Sequence, residues 1–115
     1  MKLAEIAFFT DQVPQMSEFY RRLLGVKPVV SSDKMTIFFL NDTRIFIHYR
    51  YLAQHGELLP EDHHAFLVDS VDAACERMVQ QGMSVEIPPQ DYDWGRSAYL
   101  RDPDGHQIEI TQRGN

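Results

Sequence analysis

The sequence predicts an α+β fold, two βαβββ modules whose strands form curved mixed sheets around an open cup. Three observations predict it. Two stretches carry an apolar face at spacings of three, four, seven and eight: Met16, Phe19, Tyr20, Leu23, Leu24, and then Val71, Ala74, Cys75, Met78, Val79. Each stretch follows one strand-like run and precedes three more. The two sets repeat: Phe9-Thr10-Asp11-Gln12-Val13 matches Leu67-Val68-Asp69-Ser70-Val71 at an offset of 58 residues, and the helix-ending Gly25 and Gly82 keep an offset of 57. The expectation is one domain over residues 1–115, with modules at about 1–52 and 62–113 and a linker at about 53–61.

Leu3 to Thr10 reads as the first strand, with Ile6, Phe8 and Phe9 apolar and Glu5 breaking the run. Pro14 suits the first turn of a helix, where its missing N–H costs nothing. Gly25 suits the left-handed position that ends one. Strand-like runs follow at Lys27 to Ser31, Met35 to Leu40 and Arg44 to Arg50, the last two joined into a hairpin by Asn41-Asp42-Thr43. Leu52 to Asp62, with His55, Gly56 and Pro60, reads as a polar loop. The second module starts with a strand at His63 to Asp69. Ser70 or Asp69 then caps a helix. Strands are expected at Ser84 to Ile87, Ser97 to Leu100 and Gln107 to Thr111, with a polar and aromatic loop from Pro88 to Gly95.

Composition narrows the function. Hydrophobic residues are 43% and charged residues 24%, the balance of a soluble globular chain. Eleven Lys and Arg against 17 Asp and Glu give a net charge of -6. That charge argues against a nucleic-acid partner and against an anionic membrane surface. No run approaches the ~18 apolar residues of a membrane span, and Glu5 falls where a signal peptide would be apolar. One cysteine, Cys75, fits a reducing cytoplasm. It lies on the apolar helix face and reads as core.

The repeat also nominates a site. Glu5 and His63 occupy the same place in the two first strands, at the offset of 58. Ile6 and Phe8, or Phe66 and Val68, should face the helix, so both polar residues should face the other way. His48 and Glu109, each between apolar or aromatic neighbours, pair at an offset of 61 if Asp102-Pro103-Asp104-Gly105 makes the longer turn. Two imidazoles and two carboxylates suit a divalent metal ion such as Zn, Mn, Ni, Fe or Co. Each residue taken singly also reads as a satisfied polar group on a wet concave face. Arg50 and Arg96 are candidate substrate clamps, or arginines salt-bridged to one of the 17 acids. Tyr92 and Trp94 are candidates for an apolar wall or lid, with core as the alternative for Trp94. His64 should point to the helix side as a packed histidine, and His106 should be solvated beside its turn.

The chain resembles the vicinal oxygen chelate superfamily, which groups glyoxalases, bleomycin-resistance proteins and dioxygenases. The resemblance rests on Phe19-Tyr20 with Leu23-Leu24-Gly25, on His63-His64-Ala65-Phe66, and above all on Asp102-Pro103-Asp104-Gly105-His106 leading into Ile108-Glu109. It implies a glyoxalase-like fold with ligands on the first and last strands of each module. His63 and Glu109 fall where the family usually has His and Glu. Glu5 falls where most metal-dependent members have His, and His48 falls near a position where glyoxalase I has Glu. The first module thus exchanges ligand types while keeping two of each. The resemblance carries the scaffold and the site, not a named reaction.

The expected function is a divalent-metal-dependent enzyme of lyase, isomerase or thiol-transferase type acting on a small oxygenated metabolite. Glu5 or Glu109 is the candidate general base. The alternative is a metal-free protein of the bleomycin-resistance kind that binds a small hydrophobic or cationic compound. A homodimer is expected from the sheet faces that such modules expose.

Overall fold

The computed structural model describes residues 1–54 and 60–113. His55 and Gly56 of the expected linker lie outside the described residues. The chain divides into two compact units, Glu5–Asp62, and Met1–Ala4 together with His63–Asn115. They share one order of elements. In the first, β1 (Lys2–Thr10), which enters the unit at Glu5, leads to α1 (Val13–Leu24), β2 (Val30–Ser31), β3 (Met35–Leu40) and β4 (Thr43–Tyr49). In the second, β5 (His63–Leu67) leads to α2 (Val71–Gln80), β6 (Ile87–Tyr92), β7 (Gly95–Arg101) and β8 (Gln107–Arg113). The chain is therefore α+β, with two βαβββ modules. Among the described residues no helix is long and apolar enough to cross a membrane.

In the first unit the strand order is β2-β3-β4-β1. β1 runs parallel to β4, Glu5 opposite Arg44 and Phe9 opposite His48. β3 and β4 are an antiparallel hairpin closed by Asn41 and Asp42, with Asn41 at φ 56, a left-handed conformation Asn tolerates better than most residues. Pro14 sits in the first turn of α1, and Gly25, at φ 69, ends it while donating its N–H to the Arg21 carbonyl at 3.0 Å. Val13, Phe38, Ile45 and Ile47 form the core, with Ile6, Phe8, Met16, Tyr20 and Leu24 packed on it. Ser17 ties the helix to β3 through the buried Thr36, 2.6 Å between hydroxyls.

The expected apolar face of α1 is narrower than its spacing suggests. Met16, Tyr20 and Leu24 follow one row at steps of four and meet the core. Phe19 and Leu23, one position round the helix, remain 59% and 64% exposed. The expected strand from Lys27 to Ser31 shortens to Val30–Ser31, because Pro28 has no N–H to offer a ladder.

The second unit has the strand order β5-β8-β7-β6. β5 runs parallel to β8, and β7 pairs antiparallel with both β8 and β6. Ser70 caps α2, its Oγ accepting the Ala73 N–H at 3.1 Å. Val71, Ala74, Cys75, Met78, Ala98, Leu100 and Ile110 are the core. Val79, expected on that face, is 56% exposed. Burial, with the charge of Asp72, pushes the Cys75 thiol up from its usual value, away from nucleophilic use. Cys75→Ser should therefore keep ligand binding and lower stability by ~1 kcal/mol, read as a shifted urea midpoint. Loss of binding with normal folding would make Cys75 chemical.

One segment departs clearly from expectation. Ser84 to Glu86 precede the strand, and Ile87–Tyr92 form it, where a loop from Pro88 to Gly95 was expected. β6 ends its unit's strand order, and its register with β7 shifts between Ile87 and Gln90, so Pro88 and Pro89 sit where missing donors are tolerated. Tyr92 and Trp94 consequently stand at a hairpin, with Tyr92 opposite Gly95.

Candidate functional site

Alternation along the strands sorts their residues by face. In the second unit Phe66, Val68, Ile108 and Ile110 pack in the α2 core. His63, Ala65 and Glu109 therefore lie on the face away from α2. The register sets Glu109 opposite Ala65, two residues from His63 along β5, so the two polar side chains are diagonal neighbours. His63 Nε2 lies 3.3 Å from Glu109 Oε1, with side-chain exposures of 12% and 8%.

The other carboxylate oxygen is also held. Ser97 Oγ donates to Glu109 Oε2 at 2.8 Å and lies 2.8 Å from Thr111 Oγ1. The Trp94 indole N–H reaches Glu109 Oε2 at 3.2 Å and Ser97 Oγ at 3.1 Å. Tyr92 stacks on Trp94, centroids 4.5 Å apart and planes 5° from parallel. Burial pushes the Glu109 carboxyl up, but His63, Ser97 and Trp94 outweigh it and hold it below its ordinary value. The folded value is the lower one, so this stabilisation is present above the ordinary carboxyl range and is lost as pH falls through the folded value. The Tyr92 hydroxyl, raised by burial and by the Glu109 charge, is buried and has no hydrogen-bond partner among the described residues.

The first unit uses the equivalent face differently. Ile45 and Ile47 enter the α1 core, so Arg44, Phe46 and His48 face away. Glu5 accepts the Arg44 Nε–H at 2.7 Å in an ion pair. The Arg44 guanidinium also lies over the Phe46 ring, 5.1 Å from its centroid. His48 packs against Phe9, Phe46, Tyr49 and Tyr51, with Nδ1 2.8 Å from the Tyr49 carbonyl oxygen.

Register corrects the expected pairing of His48 with Glu109. Glu5 faces Arg44 in one module and His63 faces Gln107 in the other. Two residues further stand Phe46 and Glu109, so Phe46 holds the place that corresponds to Glu109, and His48 corresponds to Thr111. Along the strands, His48 sits four residues beyond the partner of Glu5, ~13 Å away. The structure thus brings His63 and Glu109 together and does not bring His48 to Glu5.

The remaining candidates fall as follows. Arg96 donates to both oxygens of Asp72, at 2.7 and 3.0 Å, and to Asp91 at 3.0 Å, so of its two readings the ion pair is the one seen. Arg50 pairs with Asp11 at 3.0 Å and donates to the Phe9 carbonyl at 3.2 Å. His64 shares the helix-side face of β5 with Phe66, as expected, but is exposed and not packed. His106 is exposed and sits 2.9 Å from Asp102. Ser97 was not singled out from sequence as a functional residue; a small hydroxyl inside a strand gives no signal until its diagonal neighbour is known.

A model of the Glyoxalase/Bleomycin resistance protein/Dioxygenase superfamily matches residues 2–110. The anthracycline biosynthesis protein DauV of Streptomyces sp. (strain C5) is 31% identical over 110 residues, 93% of this chain and 40% of that protein. The chain thus spans less than half the length of that relative. Lactoylglutathione lyase of Neisseria meningitidis (serogroup A, strain Z2491) is 26% identical over 126 residues, 98% of this chain and 91% of that enzyme. The crystal structure of a glyoxalase/bleomycin resistance protein/dioxygenase superfamily member from Vibrio splendidus 12B01 has a TM-score of 0.71 at 12% identity, covering 96% of this chain and 99% of that one.

Proposed function

The chain belongs to the Glyoxalase/Bleomycin resistance protein/Dioxygenase superfamily, and from that premise we propose that it is a divalent-metal-dependent enzyme of lyase, isomerase or thiol-transferase type acting on a small oxygenated metabolite. The observation that carries the reading is the His63–Glu109 pair. A charge-assisted hydrogen bond usually closes to about 2.7–2.9 Å. Two donors bound at ~2.1 Å on adjacent positions of one ion stand ~3 Å apart. The 3.3 Å between His63 Nε2 and Glu109 Oε1 is close to that spacing. A nitrogen and a carboxylate oxygen also suit a transition ion.

Glu5, at the His63 place of the repeat, is the first module's donor in this proposal. Phe46, at the Glu109 place, offers no donor atom. His48 then distinguishes a three-residue set from the four-residue set that the repeat suggested. A bound ion would supply Lewis-acid polarisation of a substrate oxygen. Proton transfer falls to a carboxylate, Glu5 or Glu109. The relatives named as an anthracycline biosynthesis protein and as a lactoylglutathione lyase support an oxygen-bearing substrate. The single buried thiol, Cys75, supports a reducing compartment. Calorimetric titration of Zn²⁺, Mn²⁺, Ni²⁺ and Co²⁺ into tag-free protein tests the reading; no binding by any of them overturns it.

A second reading has its own observation. Phe9, Phe46, His48 and Tyr51 form one ring cluster on the face away from α1, centroids 5.5–6.5 Å apart. Such a surface suits a flat hydrophobic or cationic compound bound without a metal. If that is the function, the titrations stay flat while a planar aromatic cation quenches the intrinsic fluorescence.

Assembly is proposed to be a homodimer. Phe19 and Leu23, 59% and 64% exposed, leave an apolar stripe on α1 that a partner copy would cover. Sedimentation equilibrium at micromolar concentration should give about twice the 13.4 kDa chain mass. A monomeric profile at every concentration would contradict this.

A further inference from the structure

We propose that Trp94 and Ser97 are positioning residues that fix Glu109 as a one-oxygen metal ligand; the inference rests on the metal reading above. Three hydrogen bonds define the arrangement. Ser97 Oγ and the Trp94 indole N–H both donate to Glu109 Oε2, at 2.8 and 3.2 Å, and the same indole N–H reaches Ser97 Oγ at 3.1 Å. Oε2 is engaged by two donors, and Oε1 is the oxygen turned toward His63 Nε2.

The two donors differ in burial, Trp94 being 51% exposed. Ser97 is fully buried on β7. Trp94 sits in the turn between β6 and β7, its ring held flat against Tyr92, which packs edge-on against the buried Tyr99. Rotating Glu109 about its terminal torsion would break both bonds to Oε2 and leave a buried carboxylate oxygen unpaired, which is costly. A carboxylate fixed in this way does not swing off an ion to collect a proton, so the role of Glu109 is that of a ligand.

Trp94 is the chain's one tryptophan, so tryptophan emission reports on the surroundings of this ring. Trp94→Phe keeps an aromatic ring to stack on Tyr92 and removes the N–H, with some loss of ring area. Ser97→Ala removes the other donor. Partners that orient metal ligands from behind are worth about 10–100-fold in affinity. Each variant should bind Zn²⁺ about 10-fold more weakly by calorimetry. The double variant should lose less than the product of the two, because both act on one oxygen. In the wild type, Trp94 emission should shift on titration with the calorimetric midpoint. A merely structural role would lower the melting temperature of the variants and leave their Zn²⁺ affinity unchanged, and that result overturns the inference while the metal reading stands. Absence of Zn²⁺ binding by the wild type, in heat and in emission, overturns the metal reading and this inference with it.

Discussion

Phe38→Ala should destabilise the Glu5–Asp62 unit by about 3–5 kcal/mol, the largest stability loss expected from one substitution in the chain. Phe38 is fully buried on β3 and sits with Val13, Ile45 and Ile47 in the core that α1 covers. Truncation removes the transfer energy of the ring. It also opens a cavity between helix and sheet that two short layers cannot close. Phe19→Ala is the matched comparison: the same side chain is lost from the same unit, at a position 59% exposed. At concentrations low enough to keep the chain monomeric it should change stability by less than ~0.5 kcal/mol. Urea unfolding midpoints read the two. Equal losses would mean that the apolar face of α1 is buried where the structure leaves it open.

Those two phenylalanines also mark what a sequence can and cannot say. Spacing placed both helices, because a 3.6-residue period is a property of the chain itself. It could not say which apolar residues would meet the sheet. Phe19 and Leu23 fit the same periodicity as Tyr20 and Leu24, and the docking angle of the helix decided between them. The β6 segment failed for a different reason. Two prolines and several polar residues read as a loop, yet an edge strand carrying a bulge tolerates both.

The site was legible to the extent that the repeat was. His63 and Glu109 were nominated from strand position and from the Asp102-Pro103-Asp104-Gly105 turn, and their side chains meet. Pairing His48 with Glu109 at an offset of 61 depends on the length of that turn, which the sequence does not fix. A better signal was present: Ile45-Phe46-Ile47 matches Ile108-Glu109-Ile110. Both isoleucines of each triplet enter a helix-facing core, so the middle residues must correspond. Polarity drew attention to His48, whereas the apolar frame carried the register. The hydrogen bonds from Trp94 and Ser97 to Glu109 had no sequence signal, since they depend on diagonal contact across two strands.

His63→Ala should reduce divalent-metal affinity by at least ~100-fold, the largest effect expected at the site. The imidazole is lost as a donor, and Glu109, nearly excluded from water, is left facing an empty space on its Oε1 side. Glu109→Ala should cost a similar factor alone and far less on top of His63→Ala, because the second truncation finds the site already broken. Glu5→Ala should fall in the same non-additive set if Glu5 is the first module's donor. His48→Ala should leave affinity within about twofold of wild type if Phe46 holds the corresponding place, and a loss as large as that of His63→Ala would restore the four-residue set. Binding to the wild type should weaken below about pH 6, where protons compete for an imidazole. The sign follows from the ligand's form: the neutral ring binds the ion and the charged ring does not. Added Zn²⁺ should raise the melting temperature of the wild type with its concentration, following mass action, and should leave His63→Ala unmoved. Calorimetry and thermal melts on the four single variants and the His63→Ala, Glu109→Ala pair measure all of this. If His63→Ala binds every ion as tightly as wild type, the pair is a salt bridge on a binding surface, and the ring cluster of Phe9, Phe46, His48 and Tyr51 becomes the functional feature of the chain.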